Sequence, residues 1–276
     1  MPCDDPAILN LWHVLAAADE IPAAGMETML LEERIAISPG PVVRRVSDGA
    51  ALPVQEAFGY VWTSLGDPAP LFDIPEYHEA DRRNLNAGTV GVRVSAPRAI
   101  ENFLDMGHFP FVHTGILGEE PHTEVKDYNV AADAEILATE CLFYQPKAAA
   151  TSAGGADVEY IYRVPHPYCS VLYKSSGLDP SRMDVIALFV QPMTEERVRA
   201  HMLLSLLDDA NDDTAIRDFQ LRIFGQDKPI LENQFPKRLP LDPRAETPIR
   251  ADKSSVAYRR WLSARGVRYG VIPAAA

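Results

Sequence analysis

The chain has 276 residues, 47% hydrophobic and 24% charged, within the ordinary range for a globular protein of one large domain or a large and a small one. Its formal net charge of −13 disfavours nucleic acid as a partner. No apolar run is long enough to span a membrane, no signal segment opens the chain, and Cys3, Cys141 and Cys169 are too few and too far apart for a disulfide scaffold, so a cytoplasmic protein is expected.

In chain order, Leu11–Leu15 begins an apolar segment and Met29–Ile37 reads as one or two strands. Gly59–Leu65 is a further strand closing in a turn at Gly66-Asp67-Pro68. His13 is read as structural. Pro68, Pro70 and Pro75 make a stiff linker. Thr89–Val94 alternates as a strand with one buried face, and Pro97 suits a helix start.

Ile100, Leu104, His108 and Phe111 then fall at steps of four, four and three, the apolar stripe of a helix with His108 on it. An ideal helix would turn His113 away from His108. Gly107 and Pro110 allow an irregular turn that brings both imidazoles to one point. Two neutral imidazoles facing one point suit a divalent transition metal. The alternative is a core histidine followed by a surface histidine. Asp105, three residues before His108, is placed to orient its imidazole; the alternative is a solvated helix carboxylate. Asn102, a turn earlier, is either a support for the same site or an exposed polar residue.

Candidate strands at 135–143, 158–164, 170–175, 183–190 and 197–207 predict an antiparallel sheet with helices before and after it, an α+β fold. Such a sheet curled around a long helix makes a deep pocket. His122, His166 and His201 are read as structural or surface residues. The acidic run Asp208–Asp213 reads as a solvated helix cap, since it lacks calcium-loop spacing.

In the late helix, the stripe Ile216, Phe219, Ile223 continues to Asp227 and then Ile230. A carboxylate therefore stands where a core side chain belongs, and it needs a cation or a shifted pKa. The candidates are a metal held by His108 and His113, or Arg217 or Arg222. Alternatively, Gly225 and Pro229 break the helix and leave Asp227 in solvent. Pro236, Pro240, Pro243 and Pro248 predict a surface-wrapping stretch, followed by a short helix ending near Trp261; residues 271–276 are expected to be loose. Phe103, Phe109, Phe111, Phe143, Tyr160, Phe189 and Phe224 are candidate pocket aromatics, most of them expected in the core.

The stretch Glu101–His113 resembles the mononuclear iron motif of Rieske non-haem iron oxygenases, and Gln226–Gln234 resembles the helix that supplies their carboxylate ligand. Ala251-Asp252-Lys253 and Tyr258–Leu262 resemble the tail of the monooxygenase and demethylase branch. That branch includes vanillate and dicamba O-demethylases and methylxanthine N-demethylases, the last group nearest around both motifs. The resemblance covers roughly residues 70–262. It implies a helix-grip (START-like) catalytic domain and a mononuclear Fe(2+) held by His108, His113 and Asp227. It implies that Asp105, supported by Asn102, links an iron-ligand histidine to the cluster of a neighbouring subunit. The implied reaction uses O2 to hydroxylate an N- or O-methyl group of a small aromatic or heteroaromatic substrate, releasing formaldehyde.

The apolar segments before residue 68 resemble the edges of a Rieske domain, but the centre is missing. A Rieske cluster needs two cysteines and two histidines, and neither residue type occurs between Ile37 and Gly59. Residues 1–68 are therefore read as a truncated β-rich remnant with no [2Fe-2S] cluster, and residues 69–276 as the catalytic domain. Two electrons must come from a separate Rieske-bearing reductase or ferredoxin drawing on NAD(P)H. A trimer or a hetero-oligomer, with a related oxygenase subunit as a further partner, is expected from the resemblance. The competing readings are a non-catalytic organising subunit, a ring-hydroxylating oxygenase of another substrate class, and an iron enzyme with a co-substrate reductant.

Overall fold

A computed structural model describes residues 3–147, 154–179, 181–208 and 210–274. The chain opens with the helical turn α1 (Pro6–Leu9) and strand β1 (His13–Ala17). The hairpin β2 (Met26–Leu30) and β3 (Glu33–Ser38) is extended by β4 (Val42–Arg45). A second hairpin, β5 (Val54–Ala57) and β6 (Tyr60–Thr63), pairs with β1 in the order β1-β6-β5. The turn between β2 and β3 places Leu31 and Glu32 at φ 51° and 72°, a left-handed pair that costs energy for residues with a Cβ. The cost is offset by docking. Leu31 is fully buried, and the N–H groups of Leu31 and Glu32 donate to the carbonyls of Pro192 and Met193 at 2.8 and 2.9 Å.

The main sheet follows. Strand β7 (Arg83–Val92) leads into α2 (Ala96–Leu104) and the single turn α3 (Phe109–Val112). Then come β8 (Asn129–Ala132), β9 (Ile136–Gln145), β10 (Ala156–His166), β11 (Cys169–Ser175), β12 (Met183–Thr194) and β13 (Arg197–Leu206). They form an antiparallel sheet of order β7-β13-β12-β11-β10-β9-β8. Helix α4 (Asp213–Asn233) lies against β7 and α2; after the short β14 (Leu239–Pro240), α5 (Lys253–Ala264) packs on β8, β9 and α2. The expected α+β arrangement of helices and antiparallel sheet is present. Among the described residues no helix is long and apolar enough to cross a membrane.

The period-two alternation of β12 separates two cores. Ile186 and Leu188 face the helices, whereas Val185 and Phe189 join an aromatic cluster with Trp62, Phe58 and Phe72 of the N-terminal layer. Phe189 and Trp62 meet edge-on with ring centroids 5.0 Å apart, so Phe189 is remote from any pocket under α4. At the other edge, Gly88 has φ 129° where β7 bulges opposite Met202 and Leu203, and a Cβ there would lie 3.2 Å from Leu221. The glycine lets α4 settle close on β7.

Several sequence expectations need correction. The stripe Ile100, Leu104, His108, Phe111 is one helix only as far as Leu104. Asp105 turns extended at ψ 122°, Gly107 follows, and Phe111 is 65% exposed. Ser95 caps α2, and Pro97 stands in its first turn, as expected. Helix α4 runs unbroken through Gly225 and Pro229 to Asn233. Pro229 is on the solvent side, and exposed Gly225 four residues earlier leaves room for its ring. The buried face of α4 is Ile216, Phe224, Asp227 and Leu231; Ile230 is 49% exposed. The C-terminal stretch is not loose before Ala274. β15 (Val271–Ile272) pairs in parallel with β14, Val271 is buried, and Asp5 accepts hydrogen bonds from the N–H groups of Arg268 and Tyr269. Residues 275 and 276 lie outside the described residues, as does Asp209 of the acidic run. Asp212 in that run caps α4, accepting from Ala215 N at 2.8 Å.

Candidate metal centre

The one-turn helix α3 holds His108 at its N-cap and His113 at its C-cap. Its backbone closes with Val112 N to His108 O at 2.8 Å and His113 N to Phe109 O at 3.0 Å. Both imidazoles thereby face the buried side of α4 at Asp227. His108 Nε2 and His113 Nε2 are 3.1 Å apart, and Asp227 Oδ1 lies 3.3 Å from the first and 3.1 Å from the second. His113 and Asp227 are buried and His108 nearly so. The arginines do not serve Asp227. Arg217 donates to Asn86 O, and Arg222 is exposed.

Each imidazole is held from behind. His108 Nδ1 lies 3.0 Å from Asp105 Oδ2, and Asp105 Oδ1 accepts from Gly107 N at 2.8 Å. His113 Nδ1 lies 2.9 Å from Gln226 Oε1. A carboxylate and an amide oxygen can only accept, so both Nδ1 atoms carry the proton and both Nε2 atoms present lone pairs. Three acceptors then converge with no donor between them, and among the described residues Asp227 Oδ1 has no hydrogen-bond partner. Such a cluster needs a cation. Without a metal, a proton must serve. Burial opposes charge on His108, but the Asp105 and Asp227 carboxylates outweigh it and raise its pKa to about 9. Burial likewise opposes ionisation of Asp227, yet both histidines hold its pKa below the usual value.

The spacing fits a first-row metal. Two ligands each ~2.1 Å from an ion and at right angles stand about 3.0 Å apart. Two imidazoles and one carboxylate on one side of an ion, with the other positions open, is the donor set of non-haem iron(II).

The same three side chains line a cavity between α4 and the sheet. Its walls include Phe103, Leu117, Leu172, Leu188, Ile223 and Phe224, with Tyr160, Tyr162 and Lys174 toward the sheet side. Burial lowers the pKa of Lys174 to about 8, and its ammonium lies 6.0 Å from the Tyr160 ring centroid. Of the candidate pocket aromatics, Phe103, Phe109, Tyr160 and Phe224 line this cavity, whereas Phe111, Phe143 and Phe189 do not. Asn102 lines it too, with no side-chain hydrogen bond among the described residues. A separate charged cleft opens on Asp105 from outside, bordered by Glu246, Asp252 and Arg259.

Beneath that cleft lies a network the sequence reading missed. Buried Glu101 accepts from Arg259 Nε at 2.5 Å and from Arg98 Nη1 at 3.1 Å, and Glu246 bridges both arginines. It ties α2, the tail and α5 together under the metal site. Of the remaining histidines, His13, His166 and His201 are buried structural groups, whereas His78 and His122 are exposed. His201 contacts Thr89 and Gln191, His13 contacts Ile8 O at 2.9 Å, His166 accepts from Tyr168 N, and His122 stacks on Tyr144. Gln226 also escaped the sequence reading. Its only signal was an amide adjacent to the carboxylate that interrupts an apolar stripe.

A long helix gripped by an antiparallel sheet, with its aspartate meeting two histidines from a neighbouring turn at the cavity, defines a catalytic domain of the Rieske non-haem iron oxygenase class. Residues 92–267 match the vanillate O-demethylase oxygenase C-terminal domain, and the chain belongs to that family. It is 45% identical to the probable methylxanthine N7-demethylase NdmC of Pseudomonas sp. (strain TJI-51), over 98% of this chain and 99% of that protein. The structure of NdmA of Pseudomonas putida CBB5 with caffeine matches with a TM-score of 0.77 at 17% identity, covering 94% of this chain and 91% of that one. Dicamba monooxygenase bound to dicamba matches with a TM-score of 0.71 at 16% identity, covering 93% and 96%. These structural likenesses concern the fold. The protein is an oxygenase of the demethylating branch.

Proposed function

We propose that this chain is the iron-bearing oxygenase component that removes an N-methyl group from a methylated heteroaromatic of the methylxanthine type. The observation that carries the reading is the convergence of His108 Nε2, His113 Nε2 and Asp227 Oδ1 at a largely apolar cavity. The name and 45% identity of the demethylase relative support the substrate class.

His108, His113 and Asp227 would hold iron(II), which supplies dioxygen activation for hydroxylation of the methyl carbon. Asp105 and Gln226 keep the two imidazoles in the tautomer that offers Nε2. Asp227 supplies the negative charge that balances the ion. The apolar wall excludes bulk water and holds the planar substrate with its methyl toward the triad. The methyl group, O2, two electrons and two protons give a hydroxymethyl group and water. The C–N bond of that product then breaks, releasing formaldehyde and the N–H compound.

The two electrons enter from outside this chain. Its first 68 residues hold one cysteine, Cys3, and one histidine, His13, too few for a Rieske cluster. We read residues 1–68 as a cluster-less remnant and residues 69–276 as the catalytic domain. A Rieske-bearing reductase using NAD(P)H docks at the charged cleft, where Asp105 links surface to His108; Asn102 supports that path. A threefold or mixed oligomer is the expected assembly. The test is anaerobic loading with iron(II), metal and sulfide analysis, and formaldehyde release from methylxanthines with the reductase and NAD(P)H. One iron per chain without stoichiometric sulfide, and formaldehyde matched to O2 consumed, is the expected result. Iron binding without turnover on any methylated heteroaromatic favours the organising-subunit reading.

A further inference from the structure

Among the described residues, the buried tyrosine hydroxyls other than that of Tyr162 are engaged. Tyr60, Tyr128, Tyr168 and Tyr258 donate to the main-chain carbonyls of Met202, Ala251, Tyr269 and Pro167. Tyr269 reaches Glu32, and Tyr160 is held by Gln145. Tyr162 is 1% exposed, yet among the described residues its hydroxyl has no hydrogen-bond partner. The oxygen is not one of the sealed, unpartnered polar atoms of the interior, so the hydroxyl meets open space rather than apolar packing and is free to pair with a ligand.

Tyr162 is placed where a ligand can take up that hydroxyl. It stands in the middle of β10, opposite Leu172 on β11, and lines the cavity shared by His108, His113 and Asp227. Its ring is fixed on two sides, by Phe103 edge-on at 6.0 Å and by Tyr160 at 5.8 Å. Phe103 belongs to the same helix that leads into Asp105 and His108. The phenol is therefore a rigid group with an unused O–H in an otherwise mostly apolar wall. Two-torsion aromatic side chains lose little entropy on fixing a ligand.

We infer that Tyr162 donates a hydrogen bond to an acceptor on the substrate, a ring carbonyl oxygen, and so turns the methyl group toward the triad. This deepens the demethylation reading and rests on it. It makes Tyr162 a positioning and specificity residue, and it restricts the substrate class to methylated heteroaromatics bearing a ring carbonyl. A methylated arene of the same size without an acceptor would leave the phenol unpaired in the complex and be disfavoured.

The experiment is a cycle of one protein change and one ligand change. Tyr162→Phe removes only the oxygen. Binding of a carbonyl-bearing methylxanthine and of a methylated indole lacking any carbonyl is measured by calorimetry on the iron-loaded parent and variant, with iron content and Tm as controls. Formaldehyde kinetics are then taken with the reductase. The expected result is that Tyr162→Phe weakens the carbonyl ligand roughly 3- to 10-fold, leaves the indole unchanged, and keeps iron content. The variant should also raise KM and uncouple O2 consumption from formaldehyde. Equal loss for both ligands assigns Tyr162 to packing and overturns the inference. Unchanged affinity for both overturns it as well, while demethylation by the parent would still stand. A parent that binds neither ligand removes the demethylation reading and this inference together.

Discussion

The amide oxygen of Gln226 lies 2.9 Å from Nδ1 of His113, on the side of the ring opposite Asp227. Adjacent residues of α4 thus grip the same histidine differently, Gln226 from behind the ring and Asp227 from the front. The pairing sets the His113 tautomer, because an amide oxygen accepts a proton from Nδ1 and leaves Nε2 free.

Gln226→Leu should therefore loosen the metal without unfolding the chain. Outer partners of metal-binding histidines typically matter by about 10–100-fold in affinity or activity. Competition with a chelator should show iron(II) affinity reduced within that range, with far-UV circular dichroism unchanged. Gln226→Glu keeps an acceptor at the same place and should recover most of the affinity. If Leu and the wild-type Gln hold iron equally, the tautomer argument is wrong.

What local pattern can and cannot reveal follows from such pairs. Two imidazoles near a turn and a carboxylate on an apolar stripe are chemically conspicuous, so His108, His113 and Asp227 were legible as a group. Gln226 and Tyr162 were not, because amides and tyrosines are common in ordinary structural settings. Periodicity carried the stripe past Leu104, although a change of one ψ angle at Asp105 ends the helix there. It also aimed Ile230 inward, when the buried face of α4 runs through Phe224, Asp227 and Leu231 instead. The Val271–Ile272 strand was invisible because its partner, Leu239–Pro240, is distant in sequence and pairs in parallel. The main sheet was easier to read, since its long strands alternate with period two.

Glu101→Gln tests the charge network under the site. Glu101 shares two buried arginines with the more exposed Glu246, and removing its charge leaves Arg98, whose side chain is 0% exposed, underbalanced. Breaking a buried pair from one side costs about 3–5 kcal/mol, which in a chain of this size lowers Tm by roughly 10 °C. Differential scanning calorimetry on metal-free protein is the measurement. A change under about 1 kcal/mol would mean that Glu246 alone balances both guanidinium groups.

Acid sensitivity should come in part from buried neutral histidines. Burial, opposed by the Ile8 carbonyl, lowers the His13 pKa from 6.5 to about 4, and burial with nearby Arg199 lowers that of His201 to about 3. A folded pKa below the unfolded one means that the unfolded chain takes up protons first. Stability is complete above pH 6.5 and falls as pH drops from there toward 4 and then 3. For His13 the full loss is on the order of 3 kcal/mol. His13→Gln, which keeps a donor for Ile8 O, should flatten the fall between pH 6 and 4 by up to about 1.4 kcal/mol per pH unit. Urea titrations of both proteins across that window give the slopes. Parallel curves would place the acid lability elsewhere.

Asp227 and Asp105 both contact His108, yet they should fail differently. Asp227→Ala removes one of three converging donors and the charge that balances the ion. Iron(II) should no longer bind stoichiometrically, and formaldehyde release should vanish. The fold should survive, because Asp227 contributes no apolar packing and the void left is small. In the metal-free state the loss of its contact with protonated His108 should lower the His108 pKa from about 9 toward 6.5, visible by NMR titration of the ring. Asp105→Asn, by contrast, leaves all three donors in place. Its side chain still has an oxygen for Gly107 N or His108 Nδ1, though not the charge. Iron content should stay near one per chain, while turnover with the electron-donating partner falls about 10–100-fold. Measuring iron, circular dichroism and formaldehyde on both variants beside the parent separates the two assignments. Full iron and full turnover in Asp227→Ala would remove it as the third ligand. Unimpaired turnover in Asp105→Asn would mean that the carboxylate, though 3.0 Å from His108 Nδ1, does nothing beyond capping the turn at Gly107.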